Sequence, residues 1–163
     1  MSTFTVSATH TVTHVTTKML LTIKEIIREI GLDPARLCND WPSYELAIST
    51  WLSSRHLQCV MLEIYNPTTG ELVKRWDIDV VYVTVGEGTL WVDTNEIRYF
   101  IAKAGLVAAS CSYDLKVKNS PGRPDVPGWG PCELRSTEGF RRYSVGATIG
   151  GNGLTAQTSY WSR

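Results

Sequence analysis

A chain of 163 residues, 43% hydrophobic and 20% charged, with 16 basic against 16 acidic side chains, has the length of one domain. Such a domain buries roughly 70% of the surface its unfolded chain would expose. Zero formal net charge and a pI near 6.8 argue against a nucleic-acid binder or a protein held on an anionic membrane. Cys38, Cys59, Cys111 and Cys132 contain no C-x-x-C pair, so they fit neither a zinc site nor a disulfide scaffold and read as reduced, mostly packed thiols of a cytoplasmic protein.

Met1 to Thr11 is rich in Ser and Thr and lacks a basic start followed by an apolar block, so it does not read as a signal peptide. Without an apolar pattern, it is expected to be mobile. The apolar runs around Met19 to Leu21 and Val80 to Val83 fall far short of the ~20 residues a membrane helix requires. From Val15, the positions Met19, Ile23, Ile26, Ile27 and Ile30 fall at helical spacing, with Gly31 as C-terminal cap and Pro34 as a stop. A second helix is expected from Asp40, read as an N-cap with Pro42 in the first turn, burying Tyr44, Ala47, Ile48, Trp51 and Leu52.

Cys59 to Tyr65 and Leu72 to Val85 are branched and aromatic runs separated by Asn66-Pro67-Thr68-Thr69-Gly70, which predicts a hairpin. In its second arm Trp76, Ile78, Val80 and Tyr82 alternate with Arg75, Asp77, Asp79 and Val81, a pattern that places the second set on a partly wet face. A short strand at Leu90 to Val92 follows a Gly86-Glu87-Gly88 turn. Asp93 and Glu96 then make a capping arrangement for a third helix burying Ile97, Phe100, Ile101 and Ala104, closed by Gly105. Tyr113, Leu115 and Val117 alternate with polar residues in a strand running from Cys111 to Val117.

From Asn119 onward the texture changes: the segment holds 8 of the 13 glycines and 4 of the 7 prolines. That density of breakers favours loop. Yet Trp129, Leu134, Phe140, Tyr143, Val145, Ile149, Leu154, Tyr160 and Trp161 give it more apolar surface than a disordered tail carries, so it must dock. Two short strands are expected, Glu133 to Ser136 and Arg141 to Ala147, turning at Thr137-Glu138-Gly139. A unit on a Pro/Gly-rich hinge is able to rearrange, which points to a switch.

The candidate chemistry is thin. His10 and His14 could share a helical face, but Thr11 stands where a zinc protease needs Glu, and no third ligand is apparent. Asp77 and Asp79 could pair for acid–base work, but a solvated strand face accounts for them as well. Cys59 or Cys111 could meet His56 as a nucleophile, although both cysteines sit in strand runs where packing suffices. The basic residues Arg123, Arg135, Arg141 and Arg142 are interrupted by Asp125, Glu133 and Glu138, which speaks against nucleic acid. No G-x-S-x-G elbow or phosphate-binding glycine loop is present. We therefore expect no catalytic residues, metal ligands or cofactor.

The segment Val60-Met61-Leu62-Glu63-Ile64-Tyr65-Asn66-Pro67-Thr68-Thr69-Gly70-Glu71-Leu72-Val73-Lys74-Arg75-Trp76-Asp77-Ile78-Asp79 resembles the central hairpin of HORMA domains, with its turn ending in Gly-Glu and its Arg-Trp-x-hydrophobic-Asp strand. Thr11 to Gly31 resembles the family's first helix. Pro121-Gly122-Arg123-Pro124-Asp125-Val126, Gly128-Trp129 and Arg135-Ser136-Thr137 look like its bacterial branch. The resemblance implies a single α+β HORMA domain over 1–163, three helices packed on an antiparallel sheet, with a core at 1–118 and a C-terminal safety belt at 119–163 that wraps a closure-motif peptide. It further implies a non-catalytic adaptor of a CBASS-type anti-phage signalling operon. The expected partners are a CD-NTase, which is a cyclic-oligonucleotide synthase, and an AAA+ remodelling ATPase that pulls on the N-terminus. An edge strand at 111–117 offers unpaired backbone groups to which a peptide can add. The candidate peptide-contacting or belt-locking residues are thus Cys111, Tyr113, Leu115, Val117, Trp129, Leu134, Phe140, Tyr143 and Val145. Two alternatives remain open: a scaffolding paralogue whose own tail, ending Tyr160-Trp161-Ser162-Arg163, is the ligand of another HORMA protein, and a small Cys/His enzyme.

Overall fold

The computed structural model describes residues 8–83 and 89–163. The first helix, α1 (Ala8–Glu29), begins about two turns earlier than the apolar spacing from Val15 suggests. The reason is tertiary: Thr11 is fully buried and its Oγ1 accepts a 2.9 Å hydrogen bond from the Asn152 backbone N–H, at the far end of the chain. Residues 8–11 of the expected mobile segment are therefore helical, while the remainder of that expectation lies outside the described residues. Met19, Leu20, Ile23, Ile26, Ile27 and Ile30 form the buried stripe. Gly31 at φ 97° ends the helix, with Leu32 N–H reaching back to the Ile27 carbonyl at 3.0 Å.

A short helical turn, α2 (Ala35–Asn39), was not expected from the sequence. It leads into α3 (Trp41–Ser53), which buries Ala47, Ile48, Trp51 and Leu52. Asp40 precedes α3 as expected, but its carboxylate makes no cap bond; the backbone carbonyl of Asp40 receives the N–H groups of Ser43 and Tyr44 instead. Pro42 in the first turn removes an N–H that such a cap would otherwise serve. By contrast α4 (Thr94–Ala104) is capped as read, Asp93 Oδ1 accepting from Glu96 N–H at 3.0 Å.

The strands β1 (Leu57–Tyr65), β2 (Leu72–Tyr82), β3 (Trp91–Val92), β4 (Ser112–Asn119), β5 (Arg141–Gly151) and β6 (Leu154–Ser162) form one sheet in the order β3-β5-β6-β2-β1-β4. Every pairing is antiparallel; Val60 lies opposite Ile78 on one side and Val117 on the other. The expected Gly86-Glu87-Gly88 turn and the end of the strand run at Val85 lie outside the described residues. The helices cover one face, where Val60, Leu62, Ile64, Trp76 and Ile78 join the α1 and α3 stripes in a single core.

The opposite face is not wet at its centre. Glu63 is fully buried, and Arg75 and Asp77 are buried as a two-bonded ion pair at 2.8 and 2.9 Å. The reading of Asp77 on a solvated face is thus corrected: Trp161 Nε1, from β6, donates to its carboxylate at 3.1 Å, and the Arg75 guanidinium lies 5.1 Å from the Trp161 ring centre. Local alternation could not register a cover that arrives from residue 161. Asp79 stays partly exposed and meets Arg142 at 3.4 Å.

The tail also differs from expectation. Glu133 to Ser136 is not a strand, and the hairpin turns instead at Asn152-Gly153, the glycine at φ 88°. Gly150 and Gly151, which look like breakers, lie in β5 where side chains from elsewhere in the fold press on them: a Cβ on Gly150 would stand 2.1 Å from Trp91 Nε1, and one on Gly151 would stand 2.7 Å from Thr11 Cγ2. No helix of the described residues is long and apolar enough to cross a membrane.

Candidate functional site

The sheet order places the C-terminal hairpin and β4 on opposite sides. β6 pairs with β2, whereas among the described residues β4 pairs with β1 alone and no strand lies along its other edge. Residues 120–140 must cross the molecule between the two, and the crossing passes beside the free edge. Its first half docks on α3. Trp51 Nε1 donates to the Pro124 carbonyl at 2.7 Å, Val126 is buried, and Trp129 stands edge-on to both Tyr44 and Trp51 with ring centres 5.7 and 5.5 Å apart.

Between this crossing, the start of α3 and the outer edge of β4 lies a cavity of about 420 Å³, lined by Tyr44, Leu115, Val117, Trp129 and Cys132 among others. A second cavity of about 430 Å³ shares Val117, Trp129 and Cys132 and continues to the end of β4. Together they form a groove along a strand edge, roofed by the crossing segment. Backbone N–H and C=O groups on such an edge are strong, directional partners for an extended chain.

The second half of the crossing is fastened to the opposite face of the sheet. Arg135 donates to Glu63 twice, through its backbone N–H at 2.8 Å and its guanidinium at 2.9 Å. The same guanidinium reaches Asp114 at 2.9 Å and the Gly70 carbonyl at 3.0 Å, and it lies 3.5 Å from the Tyr65 ring centre. Lys116 Nζ completes the cluster, 2.6 Å from Glu63 and 2.5 Å from the Glu133 carbonyl. Burial works against the charge on Arg135, but its bonds to Asp114 and Glu63 outweigh that and raise its pKa. A fully buried carboxylate needs such compensation, since uncompensated it would cost several kcal/mol. This cluster explains why 133–136 is not a strand: its N–H and carbonyl groups are committed to Glu63 and Lys116 side chains.

The nine sequence-derived candidates divide into groups. Leu115, Val117 and Trp129 line the groove. Tyr113 shares the helix-side face of β4 with Leu115 and Val117 but lies against α2 rather than in the groove: it is buried, and its hydroxyl donates to the Asp33 carbonyl at 2.9 Å. Cys111 precedes β4 and packs partly against the core. Tyr143 and Val145 are in β5, separated from β4 by three intervening strands, and the Tyr143 ring stacks on Tyr160 at 5.0 Å. These two hold the hairpin rather than the groove. Phe140 sits under the Arg163 guanidinium at 4.7 Å, and Leu134 is 45% exposed. Sequence reasoning missed Glu63, Asp114, Lys116 and Arg135, and the only signal for them was a charged residue in the middle of the apolar run 59–65.

The alternative chemistry does not assemble. His14 bonds to the Trp91 carbonyl at 3.0 Å, and among the described residues no three His, Cys, Asp or Glu side chains converge as a metal site. His56 Nδ1 faces Ser54 Oγ at 2.8 Å rather than a thiol. Burial, followed by the charges of Asp77 and Asp79, pushes the Cys59 thiol far up, the reverse of an activated nucleophile.

The sequence profile of bacterial HORMA domain 2 matches residues 1–163. The chain belongs to this HORMA family. Its fold is similar to a chain of the mitotic checkpoint complex, at 13% identity and a TM-score of 0.72, over 91% of this chain and 96% of that one. It is similar to a chain of the CdnC:HORMA-deltaN complex of E. coli MS115-1, at 12% identity and a TM-score of 0.67, covering 100% of this chain and 93% of that one. C. elegans HTP-2 bound to the HIM-3 closure motif is also similar, at 11% identity and a TM-score of 0.60, covering 78% and 69%. At such identities the likeness establishes the fold alone. No curated protein sequence matches the chain significantly.

Proposed function

We propose that this HORMA domain is a non-catalytic, cytoplasmic signalling adaptor. Its core is 1–118, its belt is 119–163, and an extended closure-motif peptide adds to the outer edge of β4 beneath residues 120–135. The observation that carries this reading is the roofed groove: a strand edge with no neighbour, apolar walls from Leu115, Val117 and Trp129, and a belt fastened on both sides of it. Similarity to HTP-2, which is bound to a closure motif, supports the ligand class. Similarity to the HORMA chain of a CdnC complex supports a partner of the CD-NTase class, a cyclic-oligonucleotide synthase that the peptide-bound adaptor activates in anti-phage defence. An AAA+ ATPase pulling on the N-terminal residues would reopen the belt, peeling α1 from Asn152 and so unseating the hairpin turn through the Thr11 contact.

The test is peptide-display selection against the whole chain, followed by hydrogen exchange with and without the best binder. Protection of β4 together with 120–135 is the expected result. Release must wait for belt detachment, so dissociation should take minutes or longer, and Trp129→Ala should speed it at least tenfold. Protection confined to other surfaces, or release within seconds from the unaltered protein, refutes the reading.

A further inference from the structure

The groove is not chemically uniform along its length. Toward the end of β4 the charge of its lining changes from balanced to cationic: Asp40 and Lys116 give way to Lys118 and Arg123, with Asn119, around Val117 and Trp129. Among the described residues neither Lys118 nor Arg123 enters an ion pair, although nine such contacts are made elsewhere. Lys118 is exposed. Arg123 is held in place by stacking on Trp51, its guanidinium 4.5 Å from the ring centre, and its Nη1 is buried without a hydrogen-bond partner. The Asn119 side-chain oxygen is likewise buried and unpartnered.

Two of the four buried side-chain atoms without a partner among the described residues therefore belong to residues that line one cavity, and that cavity is the end of the groove. Such atoms are rare because a buried polar group left without a partner is destabilising. Tightly packed regions do not retain them together by chance. The side-chain amide of Asn119 turns about its last bond to present either its oxygen or its NH2 group. A guanidinium and an amide lining one chamber, with the exposed Lys118 at its rim, suit a carboxylate, which accepts several short charge-assisted bonds at once.

We infer that this chamber is a carboxylate subsite, taking either an Asp or Glu side chain of the closure peptide or the peptide's terminal carboxylate. The inference rests on the peptide-adaptor reading and adds to it the chemical class that the groove selects. The carboxylate docks between Lys118 and Arg123 while the preceding residues pair with the β4 edge past Val117, so that it sets the register and direction of the peptide. Trp51 has a second role in this arrangement: by fixing the guanidinium in advance, it removes rotamer entropy that a free arginine would lose on binding.

The experiment uses the full chain and peptides taken from an unbiased display selection. Each is resynthesised with single Asp→Asn or Glu→Gln changes and with an amidated C-terminus, and its Kd is measured by fluorescence anisotropy. One carboxylate should dominate, its neutralisation weakening binding about tenfold to a hundredfold. Sensitivity to the side-chain change assigns the group to Asp or Glu; sensitivity to amidation assigns it to the terminus. A Lys118→Glu plus Arg123→Glu variant should reverse the preference toward peptides with Lys or Arg at that position, a gain that misfolding cannot mimic. Lys118→Glu alone, at an exposed position, should shift selection the same way if the double variant does not fold. Tight peptides indifferent to every neutralisation, or an unchanged preference in the charge-reversed protein, overturn the subsite and leave the adaptor reading standing. Failure of any peptide to bind overturns both.

Discussion

Arg135→Met tests what closes the belt. Methionine keeps an apolar stem under Tyr65 but removes the guanidinium, and with it the 2.9 Å bonds to Glu63 and Asp114 and the 3.0 Å bond to Gly70. Glu63, fully buried, is left with Lys116 and the backbone N–H of residue 135. Removing one partner of a buried ion pair costs about 3–5 kcal/mol. Because the Arg135 side chain is 22% exposed and Lys116 remains 2.6 Å from Glu63, the lower end, about 3 kcal/mol, is the expected loss. Every element of that loss lies where the crossing meets the sheet, so it should fall on belt opening rather than on the core. That corresponds to roughly a hundredfold rise in the opening equilibrium. Native-state hydrogen exchange reads it directly: amides of 120–140 lose protection by about two decades while those of β1 and β2 keep theirs. A double-mutant cycle with Glu63→Gln should show coupling of about 1–3 kcal/mol, since neutral glutamine no longer needs the cation. Unchanged protection of the belt, or an equal loss across β1 and β2, refutes the assignment of this cluster as the belt fastening.

Two further outcomes are specific to this structure. The Tyr82 hydroxyl, which donates to the Leu57 carbonyl at 2.8 Å, is pushed up to about 12 by burial from an ordinary 10.0, and burial raises the Cys59 thiol from 9.0. Both folded values exceed the unfolded ones, so their stabilisation is complete below about pH 9 and is lost as pH rises toward 12. The urea midpoint should therefore fall across that window, and Tyr82→Phe, at an initial loss of about 1 kcal/mol for its hydrogen bond, should remove the upper part of the decline. Separately, Gly150→Ala pushes a methyl into the Trp91 indole and should cost about 1–3 kcal/mol, lowering Tm by roughly 2–4 °C for each kcal/mol; Gly130→Ala, with open space around it, should leave Tm unchanged.

The elements legible in the sequence are those whose signals are local. The α1 stripe, the Gly31 stop, the Asp93 cap and the 66–70 turn each depend on residues within a few positions of one another, and all appear where the spacing places them. The HORMA resemblance supplied the antiparallel sheet with helices packed on it, because its motifs cover the chain from Thr11 to Thr137. What tertiary structure alone decided are contacts between residues remote in sequence. Thr11 extends α1 by meeting Asn152, and Trp161 buries a carboxylate that alternation places in water. A glycine run that reads as disorder becomes a strand because Trp91 and Thr11 need the space of a missing Cβ. The groove itself follows the same rule. Its wall residues, Val117 and Trp129, are unremarkable in either of their own neighbourhoods, and Glu63 and Arg135 carry no motif that links them. Periodicity reports the environment that a segment makes for itself; it is blind to a side chain delivered from elsewhere in the chain, whether Arg135 reaching Asp114 twenty-one residues back or Glu63 seventy-two residues back.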